Sequence, residues 1–274
     1  VAKPMELRGR TAVITGAASG IGRALALDLA GRGCHLALAD RDAAGLDAVA
    51  AEASRRGVRA SRHVVDLVDA AAIAALPEAV LAEHGGVDLV VNNAGVALGG
   101  TFEQVSERDF DWLFDINFFA VVRMTRAFLP ALKRSDDARL VNVSSLYGFV
   151  APPGQTAYAA SKFAVRGFSQ ALRLELDGTT VGVTTVHPGG VATAIARNAR
   201  APAGASPEQL ADSVKRFEKL LRLPPERAAA AIAEAVVRRK PRVIVGSDAK
   251  FVSLLERLLP VSYGRVLAAV AKRA

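Results

Sequence analysis

The sequence predicts an α/β protein built on a doubly wound parallel sheet, and three observations carry that expectation. Short apolar runs alternate with longer amphipathic stretches from Arg10 to about Val245, a glycine-rich turn follows the first run, and no linker or repeat divides the first 245 residues. Strands joined by amphipathic crossovers pair in parallel and carry helices on both faces. Right-handed crossovers then give a doubly wound layout, whereas a barrel of eight βα units would need more than the seven strands that can be read.

The elements follow from periodicity. Runs of four to eight residues rich in Val, Ile, Leu and Ala read as strands at 11–15 (TAVIT), 34–40 (CHLALAD), 58–65 (VRASRHVV), 87–92 (VDLVVN), 139–144 (RLVNVS), 180–186 (TVGVTTV) and 242–245 (RVIV). Apolar residues at helical spacing fill the stretches near 20–32, 43–56, 69–84, 106–134, 156–177 and 224–239. Residues 194–223 interrupt the alternation with Arg, Ala and Pro. Residues 248–274 follow the last strand as two striped helices, one carrying Phe251, Leu254, Leu255, Leu258 and Leu259, the other, after Pro260, Val266, Leu267 and Val270. Both segments read as additions to a core, so the chain divides into a domain over 1–247 and a C-terminal helical extension over 248–274.

With 274 residues, 51% apolar and 23% charged, the chain can bury one large core, which excludes a disordered, collagenous or small disulfide-stapled protein. Cys34 stands alone, and His35, His63, His84 and His187 are too scattered for a Cys/His metal site, so a metal-free protein of a reducing compartment is expected. The net charge of +8 is uneven. Residues 1–196 carry 19 Lys and Arg against 20 Asp and Glu, residues 197–274 carry 16 against 7. Nucleic-acid binding is not expected, because the basic tail has neither interleaved aromatics nor a recognition module. The first ten residues, VAKPMELRGR, lack the apolar core of a secretory signal, and no run of about 18 apolar residues exists to span a bilayer. A cytoplasmic location follows, with association at a membrane surface left open.

After the first strand comes Thr15-Gly16-Ala17-Ala18-Ser19-Gly20-Ile21-Gly22, with the spacing G-x-x-x-G-x-G. Glycines there allow a tight turn, close approach of a pyrophosphate to the amides of the helix N-terminus, and close helix–strand packing. Asp40, 18 residues after Gly22, ends the second strand where an acidic side chain hydrogen-bonds the adenosine ribose. Its charge repels a 2′-phosphate and favours NAD; the neighbouring Arg41 attracts one and keeps NADP open. The alternative for Asp40 is a cap of the next helix.

Among three tyrosines, Tyr158 precedes Lys162 in YAASK, one turn away on the same helical face. A phenol, with an ordinary pKa near 10, exchanges protons poorly at neutral pH unless an ammonium favours its anion. Ser144 and Ser145 end the strand 139–144 at the carboxyl edge of the sheet, 13 residues from Ser145 to Tyr158. A hydroxyl there can hold a substrate carbonyl while Tyr158 moves the proton and a nicotinamide moves the hydride. The plainer alternatives are a polar strand end for the serines and a solvated helix face for Lys162.

These residues and four further motifs resemble the short-chain dehydrogenases/reductases from about residue 8 to 246: TGAASGIG at 15–22, NNAG at 92–95, Asn117 in DINFFA, Ser145, Tyr158 with Lys162, and PGGVAT at 188–193. The resemblance implies a Rossmann-type sheet of order 3-2-1-4-5-6-7, an NAD(P)-dependent oxidoreductase of alcohols or carbonyls, and a homodimer or homotetramer. It implies Tyr158 as general acid/base, Lys162 as the residue that lowers its pKa and binds the nicotinamide ribose, and Ser145 as the substrate-orienting hydroxyl. Asn117 would hold a water linking Lys162 to solvent. Gly16, Ser19, Gly20, Ile21 and Gly22 match the phosphate turn, Asp66 with Leu67 the adenine side, and Asn93, Ala94 and Gly95 the segment flanking the ribose. Pro188, Gly189, Val191 and Thr193 match the stretch that meets the nicotinamide carboxamide. Asp66 has the alternative of a helix cap, and Asn117 that of a helix kink.

The expected substrate walls are Leu98 to Thr101, Leu146 to Gly154 and a lid over about 190–222. Apolar Leu146, Phe149, Val150, Pro152 and Pro153 favour a hydrophobic alcohol or ketone, lipid, steroid or retinoid-like; the alternative is that they pack beneath the lid. The basic, apolar-striped tail suits a subunit contact or an anionic lipid surface. The competing function is a non-catalytic dinucleotide sensor or interaction protein on the same fold, which needs the glycine turn but not the proton relay.

Overall fold

The computed structural model describes residues 3–266. Its seven strands are β1 (Thr11–Thr15), β2 (His35–Asp40), β3 (Ala60–Val64), β4 (Leu89–Asn92), β5 (Ala138–Val143), β6 (Val181–Pro188) and β7 (Arg242–Val245). They form one sheet of order β3-β2-β1-β4-β5-β6-β7, every pair parallel. The fold is the Rossmann-type sheet expected, with each strand within two residues of its predicted bounds.

Alternating side chains of β1 serve two cores. Ala12 and Ile14 face α1 (Gly20–Gly31), α2 (Ala43–Ser54) and α8 (Pro225–Val237); Val13 faces α3 (Ala70–His84) and α5 (Ala120–Arg134). Leu25 and Leu29 of α1, Ile73 and Val80 of α3, and Phe128 of α5 are almost fully buried, each contributing about 2 kcal/mol of transfer free energy. Cys34 is sealed in the first core, where burial pushes its thiol up to about 12.

The chain reverses its direction of winding between β1 and β4, and the crevice outside their carboxyl ends is where open α/β sheets bind ligands. Two helical stretches depart from expectation. The single helix predicted over 106–134 is α4 (Glu107–Phe114), a π-helical turn over Asp115–Phe119, then α5. Within the segment that interrupts the alternation lies α7 (Pro207–Glu218), a strongly amphipathic helix opened by proline. The long α6 (Thr156–Glu175) flanks β5 and β6, and α9 (Ser247–Leu258) follows β7. Leu267 and Val270 of the second predicted stripe, with Lys272 and Arg273, lie outside the described residues.

Candidate active site

The glycine turn is shaped by contacts that leave no room for side chains. Gly16 and Gly20 have φ of +66° and +53°, in the left-handed region. A Cβ on Gly16 would stand 2.9 Å from Ala94 Cα, one on Gly20 3.0 Å from the Thr193 methyl, and one on Gly22 would collide with the Gly16 carbonyl. Ser19 takes extended geometry at the N-terminus of α1, its hydroxyl uninvolved in capping, and the first turn holds no acidic residue. The amides and positive end of the helix dipole therefore face the crevice uncompensated.

Thr15 ties the turn to the segment after β4: its Oγ1 accepts from the amides of Asn93 and Ala94 at 3.0 and 3.1 Å. The Asn93 side chain donates to the carbonyls of Thr15 (3.0 Å) and Gly16 (3.3 Å), so it braces the turn. Asp40 is half-buried and accepts from the amides of Ala18 and Asp42 at 3.1 Å each. The cap of α2 is Asp42, not Asp40. Likewise Asp69 caps α3, leaving Asp66 an exposed carboxylate that accepts from Val68 N, beside half-buried Leu67. Arg41 is exposed.

Tyr158, Lys162, Ser145 and Asn117 converge at the carboxyl edge of β4 and β5. Asn117 is fully buried in the π turn; its Oδ1 accepts from Val96 N at 2.8 Å and its Nδ2 donates to Val96 O at 3.0 Å and Ser161 Oγ at 3.3 Å. A Cβ on Gly95 would lie 3.3 Å from Asn117 Oδ1 and 3.4 Å from Lys162 Nζ, so these two polar atoms meet over one glycine. Lys162 Nζ donates to Val143 O at 3.2 Å and lies 5.7 Å from the Tyr158 ring centre. Ser145 caps the short turn Leu146–Gly148 by accepting from Tyr147 N at 3.1 Å. Tyr147 meets Tyr158 edge-on, ring centres 6.0 Å apart.

Burial governs the titration of the pair. It pushes Tyr158 up to about 12, against a hydrogen bond with Ser145 that favours the phenolate, and pushes Lys162 down to about 8. The depression of the phenol expected from Lys162 is therefore not found in this arrangement. Desolvation dominates, and the Lys162 ammonium gives its hydrogen bond to a backbone carbonyl, not to the phenol.

Pro188 ends β6, and Gly189 to Thr193 run beneath the crevice. Gly189 N donates to Val245 O at 2.8 Å, Val191 bridges to Leu223, and Thr193 abuts Gly20. Asp248, in the first turn of α9, accepts from Gly190 N at 2.7 Å, and a Cβ on Gly189 would strike its carboxylate. Sequence reasoning passed over Asp248, because an acid in a first helical turn reads as a dipole partner and nothing local points to a loop 58 residues upstream. The lid is pinned on the other side. Arg200 pairs with Asp109 at 2.7 Å, stacks 3.5 Å over the Trp112 ring and bridges to Leu98. Of the expected walls, Leu98 packs with Leu113, Ala157 and Tyr158, whereas Phe149 and Val150 are buried, Phe149 against His187 with ring centres 4.1 Å apart and beneath the Arg166 guanidinium.

A family model described as short chain dehydrogenase matches residues 10–204. The chain belongs to that family. As a short-chain dehydrogenase it is an oxidoreductase acting on CH–OH donors. It is 44% identical over 271 residues, 97% of both chains, to the protein named "Putative oxidoreductase SadH" of Mycobacterium tuberculosis. It is 38% identical over 219 residues, 77% of this chain and 81% of the relative, to 1-deoxy-11-beta-hydroxypentalenate dehydrogenase of Streptomyces avermitilis. A short-chain dehydrogenase/reductase from Burkholderia phymatum, solved in complex with NAD, superposes with a TM-score of 0.86 and 30% identity over 93% of this chain and 95% of that one.

Proposed function

We propose that the protein interconverts a hydrophobic alcohol and its carbonyl compound with NAD, using Tyr158 as general acid/base. The observation that carries this reading is the meeting of Tyr158, Lys162, Ser145 and Asn117 at one edge of the sheet, beside a turn where added side chains would collide. That cradle fits a nicotinamide dinucleotide: Gly16, Gly20 and Gly22 admit a pyrophosphate, and the free amides at Ser19 to Gly22, Ile21 included, complement its charge. Asp40 and Asp66 would face the adenosine half, Asn93, Ala94 and Gly95 the ribose, and Pro188, Gly189, Val191 and Thr193 the carboxamide. The bound nicotinamide supplies the hydride acceptor or donor.

The chain's own groups supply the rest. Ser145 holds the substrate oxygen beside the phenol, and Tyr158 gives that oxygen a proton in reduction or takes one in oxidation. Lys162 brings a positive charge that favours the phenolate as the proton leaves, and the Asn117 amide, bonded to both backbone groups of Val96 and to Ser161, braces the segment after β4 against α6. Asp40, tied to Ala18 N, supports NAD over NADP by presenting negative charge where a 2′-phosphate would sit. Leu98, Leu146, Tyr147 and Pro152 support an apolar substrate, and the hydroxypentalenate in the name of the Streptomyces relative is in keeping with it. A screen of aliphatic, steroid and retinoid alcohols and of sugars with NAD and NADP, followed at 340 nm, tests the reading; turnover of sugars alone would overturn the substrate class.

The apolar stripe of α9 faces outward: Phe251 and Leu254 are 56% and Leu258 68% exposed. This supports contact with a second copy of the chain. Leu254→Glu with Leu258→Glu should lower the mass seen by light scattering, and flotation of the native protein with anionic liposomes would favour a lipid surface instead. No helix among the described residues is long and apolar enough to cross a membrane.

A further inference from the structure

The ladder between β5 and β6 extends to Ser144, whose amide donates to Val186 O at 2.8 Å. Ser145 lies one residue beyond it, where the sheet no longer orients the chain. Two donors take over: Gly148 N, from within the short turn, and His187 Nδ1, from β6, each reach the Ser145 carbonyl at 3.0 Å. A carbonyl oxygen has two acceptor positions, and both are filled here. Because Nδ1 faces a carbonyl it carries the proton, and Nε2 of the neutral ring keeps a lone pair. Burial pushes His187 down to about 4, so the neutral ring persists at neutral pH.

His187 is fully buried, its ring centre 4.1 Å from that of Phe149, and its Nε2 is sealed without a partner. A leucine or phenylalanine would fill such a place with no orphaned polar atom. What the imidazole adds is the bond from Nδ1. The turn is braced around that bond: Arg166 donates to Gly148 O at 3.0 Å and covers Phe149, and a Cβ on Gly148 would stand 3.4 Å from His187 Nδ1 and strike Ser144 Oγ. The Ser145 hydroxyl in turn bonds the Tyr158 phenol.

We infer that His187 is a positioning residue of the reaction: through Nδ1–H it locks the peptide that follows Ser145 and so holds the Ser145 hydroxyl against Tyr158. Sealed as it is, the ring acts only through Ser145. This role rests on Ser145 being the hydroxyl that holds the substrate oxygen.

Two substitutions separate the ring nitrogens. His187→Asn puts an amide N–H at the Nδ1 position, whereas His187→Gln puts its amide at the Nε2 position, where no partner stands. Each is made in the native chain and in Ser145→Ala, and rates are followed with NAD and the alcohol of highest turnover in the screen. His187→Gln should lower kcat/KM for the alcohol about tenfold with dinucleotide affinity held within about twofold, and His187→Asn should stay within about threefold of the native value. On Ser145→Ala, His187→Gln should cause no further loss. Two readouts need no substrate. With 3-fluorotyrosine at the three tyrosine positions, the Tyr158 ¹⁹F signal, assigned with Tyr158→Phe, should move in His187→Gln as it does in Ser145→Ala and stay in place in His187→Asn. In the native chain at pH 7.5, ¹⁵N spectroscopy should find the His187 proton on Nδ1.

A proton on Nε2, a Tyr158 signal unmoved by His187→Gln, equal losses in His187→Asn and His187→Gln, or a loss that multiplies with that of Ser145→Ala overturns the role of His187. Native turnover in Ser145→Ala overturns the reading of Ser145 itself, whatever the spectra show.

Discussion

Lys162 and Tyr158 share a helix face without sharing a hydrogen bond: the ammonium stands 5.7 Å from the phenol ring centre and donates to the Val143 carbonyl. Burial moves the two groups in opposite senses, so near neutral pH the folded chain holds a protonated phenol beside a charged amine. That is the state needed to protonate a carbonyl. Oxidation of an alcohol must first remove the phenol proton, against desolvation.

Tyr158→Phe keeps the ring and removes the transferable proton. Turnover should fall about 10³-fold, within the range of general acid/base contributions, while dinucleotide affinity stays within a few-fold. Steady-state kinetics beside a direct binding titration checks this, and unchanged turnover would sink the mechanism.

Asp40→Asn keeps an acceptor for the Ala18 amide and removes the charge. The ratio of kcat/KM for NAD over NADP should drop about tenfold. Equal losses with both coenzymes would count against a role at the ribose.

Lys162→Met should stabilise the protein while abolishing activity. Because the folded-state pKa is depressed to about 8 from 10.5, the unfolded chain binds the extra proton between those values. Stability due to this site is therefore present above about 10.5 and is lost as pH falls through 8. At pH 7 the variant escapes that penalty and should gain about 2 kcal/mol after the lost bond to Val143 is deducted, a gain absent near pH 11. Urea unfolding at the two pH values measures it.

Asp248→Ala frees the amide of Gly190 and should loosen the stretch beneath the crevice. KM for the dinucleotide is expected to rise about tenfold with little change in the melting temperature. A KM within twofold of the native value would make Asp248 a surface residue of no consequence to the site.

The parts of the molecule carried by local chemistry were legible in the residues alone. Alternation of short apolar runs revealed all seven strands, and the glycine spacing located a turn whose crowding is now visible at Gly16, Gly20 and Gly22. What escaped depends on meetings between distant segments. Asp42 and Asp69 turned out to be the caps that Asp40 and Asp66 were each allowed to be, a choice decided by where the helices begin. Phe149 read as a pocket wall because its apolarity is visible and its stacking on His187, 38 residues away, is not. The π turn at Asn117 has no periodic signature, since one widened turn leaves the stripes on either side intact.

The Tyr263 phenol accepts a hydrogen bond from Ala151 N at 3.1 Å, and Asp248 holds Gly190, so the last described segment is stitched to both loops that border the crevice. A chain trimmed after residue 247 would lose both ties at once, so the extension belongs to the framework that fixes these loops and is not an appendage hung on a finished domain.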